Sequence, residues 1–461
     1  MTNLDVAVSE TFLAARWDRL VLAGSVAALS AYALLRACAR RGEGAGPVGP
    51  KSKDVASHRN AARAPGEWSA VEFDYPALEP SNARFDAVEP VPYRPFKRGA
   101  FHITMGIRNM PWDEWIELDR GFPHVHRVVE HRIRTRGDRL VCVNGEKPGI
   151  VRSGQAAAEE LMYELAEYLS RRHPDVYSVA RHPPSGDDSQ NGWYGEGRIK
   201  QISIIPLGRT HDLDCEEPLR VARSLIQEDI DILIEGTDGL YYLQAGAMCI
   251  AGSWRIEDKL GMPLDEIHTS GHVPQFKERL QPSMERFFRR LPVDKPVVRT
   301  NYSFQVVQEP AARVPAPAPG SLLAIDPDEL AWAATMNGSE DVSEYERAQH
   351  VLRDGPEREP VQATPRTVML RTERQTLRRL PRTGAVVFLI RVHQTRVEDV
   401  LGEPGVPGRM ASALRSWPED VVKYKARAAF EGILPYLDAA HAEQLERGVV
   451  EPEDQMTTFT F

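Results

Sequence analysis

Ile230-Asp231-Ile232-Leu233-Ile234, the run Glu235-Gly236-Thr237-Asp238-Gly239 and then Leu240–Ile250 (LYYLQAGAMCI) decide the fold class. Two β-branched and aromatic runs joined by glycines and an aspartate predict a β-hairpin, since those residues supply the turn backbone that the flanking runs disfavour. Toward the C-terminus, Ile256–Leu260 and Phe276–Leu291 read as helical. In the second, Phe276, Leu280, Met284, Phe287, Phe288 and Leu291 recur at helical spacing, and Pro282 is expected to split or kink it. Three more strands follow at Val297–Val307 (VVRTNYSFQVV), Thr367–Leu377 and Ala385–His393 (AVVFLIRVH). Two strands, then helices, then three strands predict an α+β module, a five-stranded antiparallel sheet with helices on one face.

Upstream, Ala156–Ser170 reads as a helix with Leu161, Leu165, Tyr168 and Leu169 on one side. Its glutamates, Glu159, Glu160, Glu164 and Glu167, are expected on a solvated face. WDEWIELD, with Trp112 and Trp115, reads as a short acidic helix, and residues 68–96 as an extended segment wrapping the surface. Residues 309–364 open with a Pro-Ala tract and turn acidic, which predicts a surface insert, partly disordered. Leu20–Leu35 is sixteen residues without a charge. As a helix it spans about 24 Å at ~1.5 Å per residue, short of the ~30 Å hydrocarbon core. With Arg36 snorkelling it predicts a single-pass anchor within residues 1–41. Arg36, Arg40 and Arg41 follow the span, which puts the bulk of the chain in the cytosol. A buried core helix and a cleaved targeting peptide are the competing readings of that stretch. Residues 42–67 then form a flexible linker, 68–395 the main domain and 396–461 a helical tail.

The 461 residues carry 57 Lys and Arg against 66 Asp and Glu, a net charge of −9 that argues against a nucleic-acid partner. Cys38, Cys142, Cys215 and Cys249 are too scattered for an iron–sulfur cluster or a disulfide scaffold. No glycine-rich loop between a strand and a helix signals a flavin or nicotinamide site.

The order of elements suits a PAS-like fold, in which the helices after the second strand roof a ligand cavity. Five stretches resemble the haem-dependent oxidative N-demethylase family. They are YRPFKRGAFHITMGIR (Tyr93–Arg108), QEDIDIL (Gln227–Leu233), SWRIEDKLGMPLDEIH (Ser253–His268), MERFFRRLPVDKPVVRTNYS (Met284–Ser303) and LRTERQTLRRLPRTGAVVFLIR (Leu370–Arg391). The resemblance implies a PAS-like domain that binds haem b and, with dioxygen, demethylates a small secondary amine to formaldehyde and a shorter amine. It also implies electrons from a separate reductase using NADPH, flavin and an iron–sulfur centre. A haem-binding gas sensor without turnover is the rival reading.

The same resemblance suggests the site residues. The family pattern Ile-His-x-Pro-Val-Pro is altered here to Ile267-His268-Thr269-Ser270-Gly271-His272-Val273-Pro274. His268 matches through its preceding isoleucine and is the expected iron ligand, with His272 as the alternative. Arg255, Arg299 and Arg374 are candidates for the haem propionates, since guanidinium pairs bidentately with carboxylate. Asn301 and Gln375 are the candidates for orienting bound oxygen or the amine. For TERQTLRRLPRTG, a solvated basic edge strand competes with the inward reading.

Overall fold

The hairpin forms as β6 (Asp229–Glu235) and β7 (Tyr241–Ala247), with a bulge between Ile232 and Leu233. Every residue of both strands is buried, the acids Asp229, Asp231 and Glu235 and the amide of Gln244 included. The computed structural model describes residues 63–187, 191–308, 325–343, 345–346 and 361–451. The expected anchor at Leu20–Leu35 lies outside them, and among the described residues no helix is long and apolar enough to cross a membrane.

The later strands join the hairpin as β8 (Val297–Val306), β9 (Val368–Arg379) and β10 (Val386–Arg396). β10 pairs with β6 and β9, and β9 pairs with β8, all antiparallel. The sheet does not stop at the five expected strands. β1 (Arg108–Asn109) adds to β8 and β2 (Val141–Val143) to β7, giving seven strands in the order β1-β8-β9-β10-β6-β7-β2. This corrects the expected five-stranded PAS-like sheet. Strands of two and three residues are too short to show a period of two, so only their tertiary pairing reveals them. A second sheet of β3 (Tyr177–Arg181), β4 (Ile199–Ile204) and β5 (Arg209–Asp212) was likewise not expected from the sequence.

Helices cover both faces of the large sheet, not one. Neighbouring arginines on β9 show this, because successive side chains of a strand point to opposite faces. Arg379 donates to Leu291 O at 2.7 Å and to Phe288 O, at the end of α5 (Gln281–Arg290). Arg378 turns the other way, pairing with Glu164 of α2 (Gln155–Arg172) between the rings of Trp112 and Trp115. Pro282 stands at the start of α5, where a missing N–H costs nothing, and a π-helical turn at Phe276–Leu280 precedes it. Before that comes α4 (Leu264–Ser270), and α1 (Phe122–Arg136) and α3 (Pro218–Leu225) complete the N-terminal half.

Three expectations change on packing. Glu160, Glu164 and Glu167 are buried, not solvated. Glu160 accepts from the backbone N–H groups of Arg382 and Thr383, Glu164 from Trp193 Nε1 at 3.2 Å, and Glu167 pairs with Arg181 at 2.6 Å. Buried carboxylates are tolerated when paired, and a helical wheel cannot show the partners. The described part of the insert is also packed. Leu330, Ala331 and Trp332 are buried, and Arg132 of α1 clamps Glu340 and Asp328 at 2.6 and 2.9 Å. WDEWIELD makes only one 3-10 turn, Trp112–Glu114. Beyond β10, helices Val406–Arg415 and Leu434–Glu446 build a second apolar cluster with Phe304, Leu370 and Phe430.

Glu164→Ala strands Arg378, whose side chain is fully buried, without its carboxylate. Its unfolding free energy is expected to fall by about 3–5 kcal/mol, measured by denaturant titration. A loss below about 1 kcal/mol would be the behaviour of an exposed pair.

Candidate functional site

The β8–β9 register sorts the candidate residues. Arg299 sits opposite Gln375, Asn301 opposite Glu373 and Ser303 opposite Arg371, so all six share one face. Glu373 is the hub. Its carboxylate accepts from Arg371 Nε at 3.0 Å, Gln375 Nε2 at 2.8 Å and Asn301 Nδ2 at 3.3 Å. Burial pushes this carboxyl up, but Arg371, by its charge and its hydrogen bond, and Asn301 outweigh that and hold it below the usual carboxylate range. Gly252 (φ +83°) lets the chain pass the guanidinium, since a Cβ there would stand 3.1 Å from Arg371 Cζ.

Lys425 enters from the C-terminal side, just after the helix Glu419–Tyr424. Its Nζ donates to Tyr302 O at 2.5 Å and to Asn301 Oδ1 at 3.3 Å, over the rings of Tyr302 and Trp417. Burial lowers its amine to about 8 against the pull of Glu373. Arg299 has no hydrogen bond or ion pair among the described residues, and its Nε is buried without a partner. Burial depresses its pKa, opposed by Glu373.

His268 projects from α4, within electrostatic reach of Arg299. Its ring stacks on Phe276 at 4.6 Å between centroids, and its Nδ1 lies 2.6 Å from Leu264 O. A carbonyl can only accept, so Nδ1 carries the hydrogen and the neutral ring keeps a lone pair on Nε2. Burial favours that neutral form and lowers the imidazole pKa, with the bond to Leu264 opposing and the charge of Arg299 adding to the shift.

The fold therefore gathers His268, Arg299, Asn301 and Gln375 of the expected residues. It does not gather the others. His272 is exposed on a left-handed turn residue (φ +52°) after α4. Arg255 turns its fork onto Glu257 of its own loop, with Nε at 3.1 Å. Arg374 lies on the other face, because Gln375 and Arg374 are neighbours on one strand. Arg374 points to the opposite side, 3.0 Å from Glu117 and 3.3 Å from Trp115 O. Sequence reasoning passed over Arg371 in favour of Arg374 and missed Glu373, although the period of two that selects Gln375 also selects both. No local signal marked Lys425.

The donor set fits the haem that the sequence resemblance implies. An oriented imidazole with a bare Nε2 suits an axial ligand, and an arginine without a counter-ion suits a propionate. Arg374→Met is expected to lower folding stability, because Glu117 loses its cation, while haem affinity by absorbance titration stays within about threefold of wild type. A drop of tenfold or more, about 1.4 kcal/mol, would put Arg374 back in the site.

A sequence model of the haem-dependent oxidative N-demethylase, alpha subunit-like family matches residues 106–434. The match takes in the ten strands of the described residues, the histidine of α4, the β8–β9 cluster and Lys425. With most of its length and its whole site inside that span, this chain belongs to the haem-dependent oxidative N-demethylase, alpha subunit-like family.

Proposed function

We propose that the chain binds haem b between α4 and the β8–β9 face and oxidatively demethylates a small secondary amine, yielding formaldehyde and a shorter amine. The observation that carries this reading is the pairing of His268, its Nδ1 committed to Leu264 O, with an unpartnered Arg299 within its electrostatic reach. In this reading Nε2 of His268 would hold the haem iron and Arg299 would hold a propionate. The haem, when bound, supplies the one-electron and dioxygen chemistry that side chains lack.

The chain's own groups orient the amine. Gln375 Nε2 is committed to Glu373, which turns its Oε1, buried and without a partner, outward as an acceptor. An ammonium N–H of the substrate would satisfy it. The four scattered cysteines of this chain offer no cluster ligand set, so in this reading the electrons come from a separate reductase; the family resemblance implies one that uses NADPH, flavin and an iron–sulfur centre.

His268→Ala is expected to abolish the Soret band of the reconstituted protein, and His272→Ala to preserve it. The opposite pattern would move the ligand to His272. Wild-type protein supplied with haem, a reductase, NADPH, oxygen and dimethylamine is expected to release one formaldehyde per amine consumed. Reversible oxygen binding with no formaldehyde from any methylated amine would favour a sensor.

A further inference from the structure

The face of the sheet that carries Glu373 is not balanced in charge. Arg299, Arg371 and Lys425 gather around a single carboxylate, Glu373. Arg371 uses it directly, at 3.0 Å. Among the described residues Arg299 makes no hydrogen bond or ion pair, and the hydrogen-bond partners of Lys425 are neutral: one backbone carbonyl and one amide oxygen, above two aromatic rings. Two cations held partly out of water without their own anions are an unfavourable arrangement, and a ligand with two carboxylates relieves it.

We propose that Lys425 is a second propionate-binding residue, so that the segment following the sheet, and not the sheet and roof alone, forms the cofactor site. This rests on the haem reading above. The geometry places the segment correctly. Gln275, in the turn after α4, donates to Asp420 Oδ2 at 3.0 Å and ties the helix Glu419–Tyr424 to the connection that carries His268. The other end of that helix delivers Lys425 to Asn301 on β8, two residues from Arg299. One short helix thus links the imidazole to the two unmatched cations. Burial lowers the amine of Lys425 to about 8, against the pull of Glu373. The charged groups that act on it are Glu373 and Arg299; Tyr302, Trp417 and Asn301 face it as neutral groups.

The test is absorbance titration of haem-free protein with haem b and with its dimethyl ester, which lacks both carboxylates. Wild type is expected to bind the ester at least about tenfold more weakly than haem. Lys425→Met is expected to weaken haem binding by a similar factor, to leave ester binding nearly unchanged, and Lys425→Arg to restore haem affinity. The melting temperature of haem-free Lys425→Met separates this from a purely structural lysine, which would lower it without touching the haem-to-ester ratio. Equal ratios in wild type and Lys425→Met overturn the proposal while leaving the haem reading intact. Failure of wild type to bind either compound overturns both. If Lys425→Met does not fold, equal affinity of wild type for haem and ester overturns the proposal by itself.

Discussion

Burying β9 is the costly step on which this fold depends. The strand is buried along almost its whole length, yet it carries Arg371, Arg374, Arg378 and Arg379. A buried guanidinium without partners costs several kcal/mol, so each arginine dictates what must pack beside it. Arg378 requires Glu164 and brings α2 onto the sheet. Arg374 draws in the Trp112–Glu117 segment. Arg379 takes the carbonyls that end α5, and Arg371 takes Glu373 and Ile250 O. The chain's layers are the places where these four side chains find acceptors.

The two faces meet that demand differently. On the face toward α2, cations are matched one to one with acids: Arg374 with Glu117, Arg378 with Glu164 and Arg391 with Asp119 at 2.8 Å. Glu228 is an extra acid on that side, both its oxygens buried and unpartnered, and burial raises its carboxyl to about 7 despite Arg391 and Arg374. The face toward α4 keeps more cations than acids, together with a histidine oriented by a backbone carbonyl. Charge-matched networks hold structure together, and unmatched groups beside an oriented ligand mark where another molecule binds.

Much of this was legible along the chain. The hairpin at 230–250, the three later strands and the helix at 156–170 announced themselves because each is long enough to show its period and is bounded by turn residues. The isoleucine before His268 pointed to that histidine, and polar side chains on the strands to Arg299, Asn301 and Gln375, which lie together on the β8–β9 face with Arg299 acting on His268. The alternation of β9, followed strictly, would have separated Arg374 from Gln375 and picked out Glu373.

What the sequence determined by itself is local: period, turn chemistry, and the side-chain types that alternate on each strand. Only the tertiary structure decided the rest, because it depends on partners far apart in the chain. β1 and β2 exist as strands only because β8 and β7 offer them an edge. Glu164 is a core residue only because Arg378, 214 positions away, is buried beside it. Lys425 reaches the site only because the C-terminal helices fold back onto β8, and nothing within a few residues of it encodes that return. Burial and charge balance are properties of neighbours in space, and a single strand or helix read alone does not contain them.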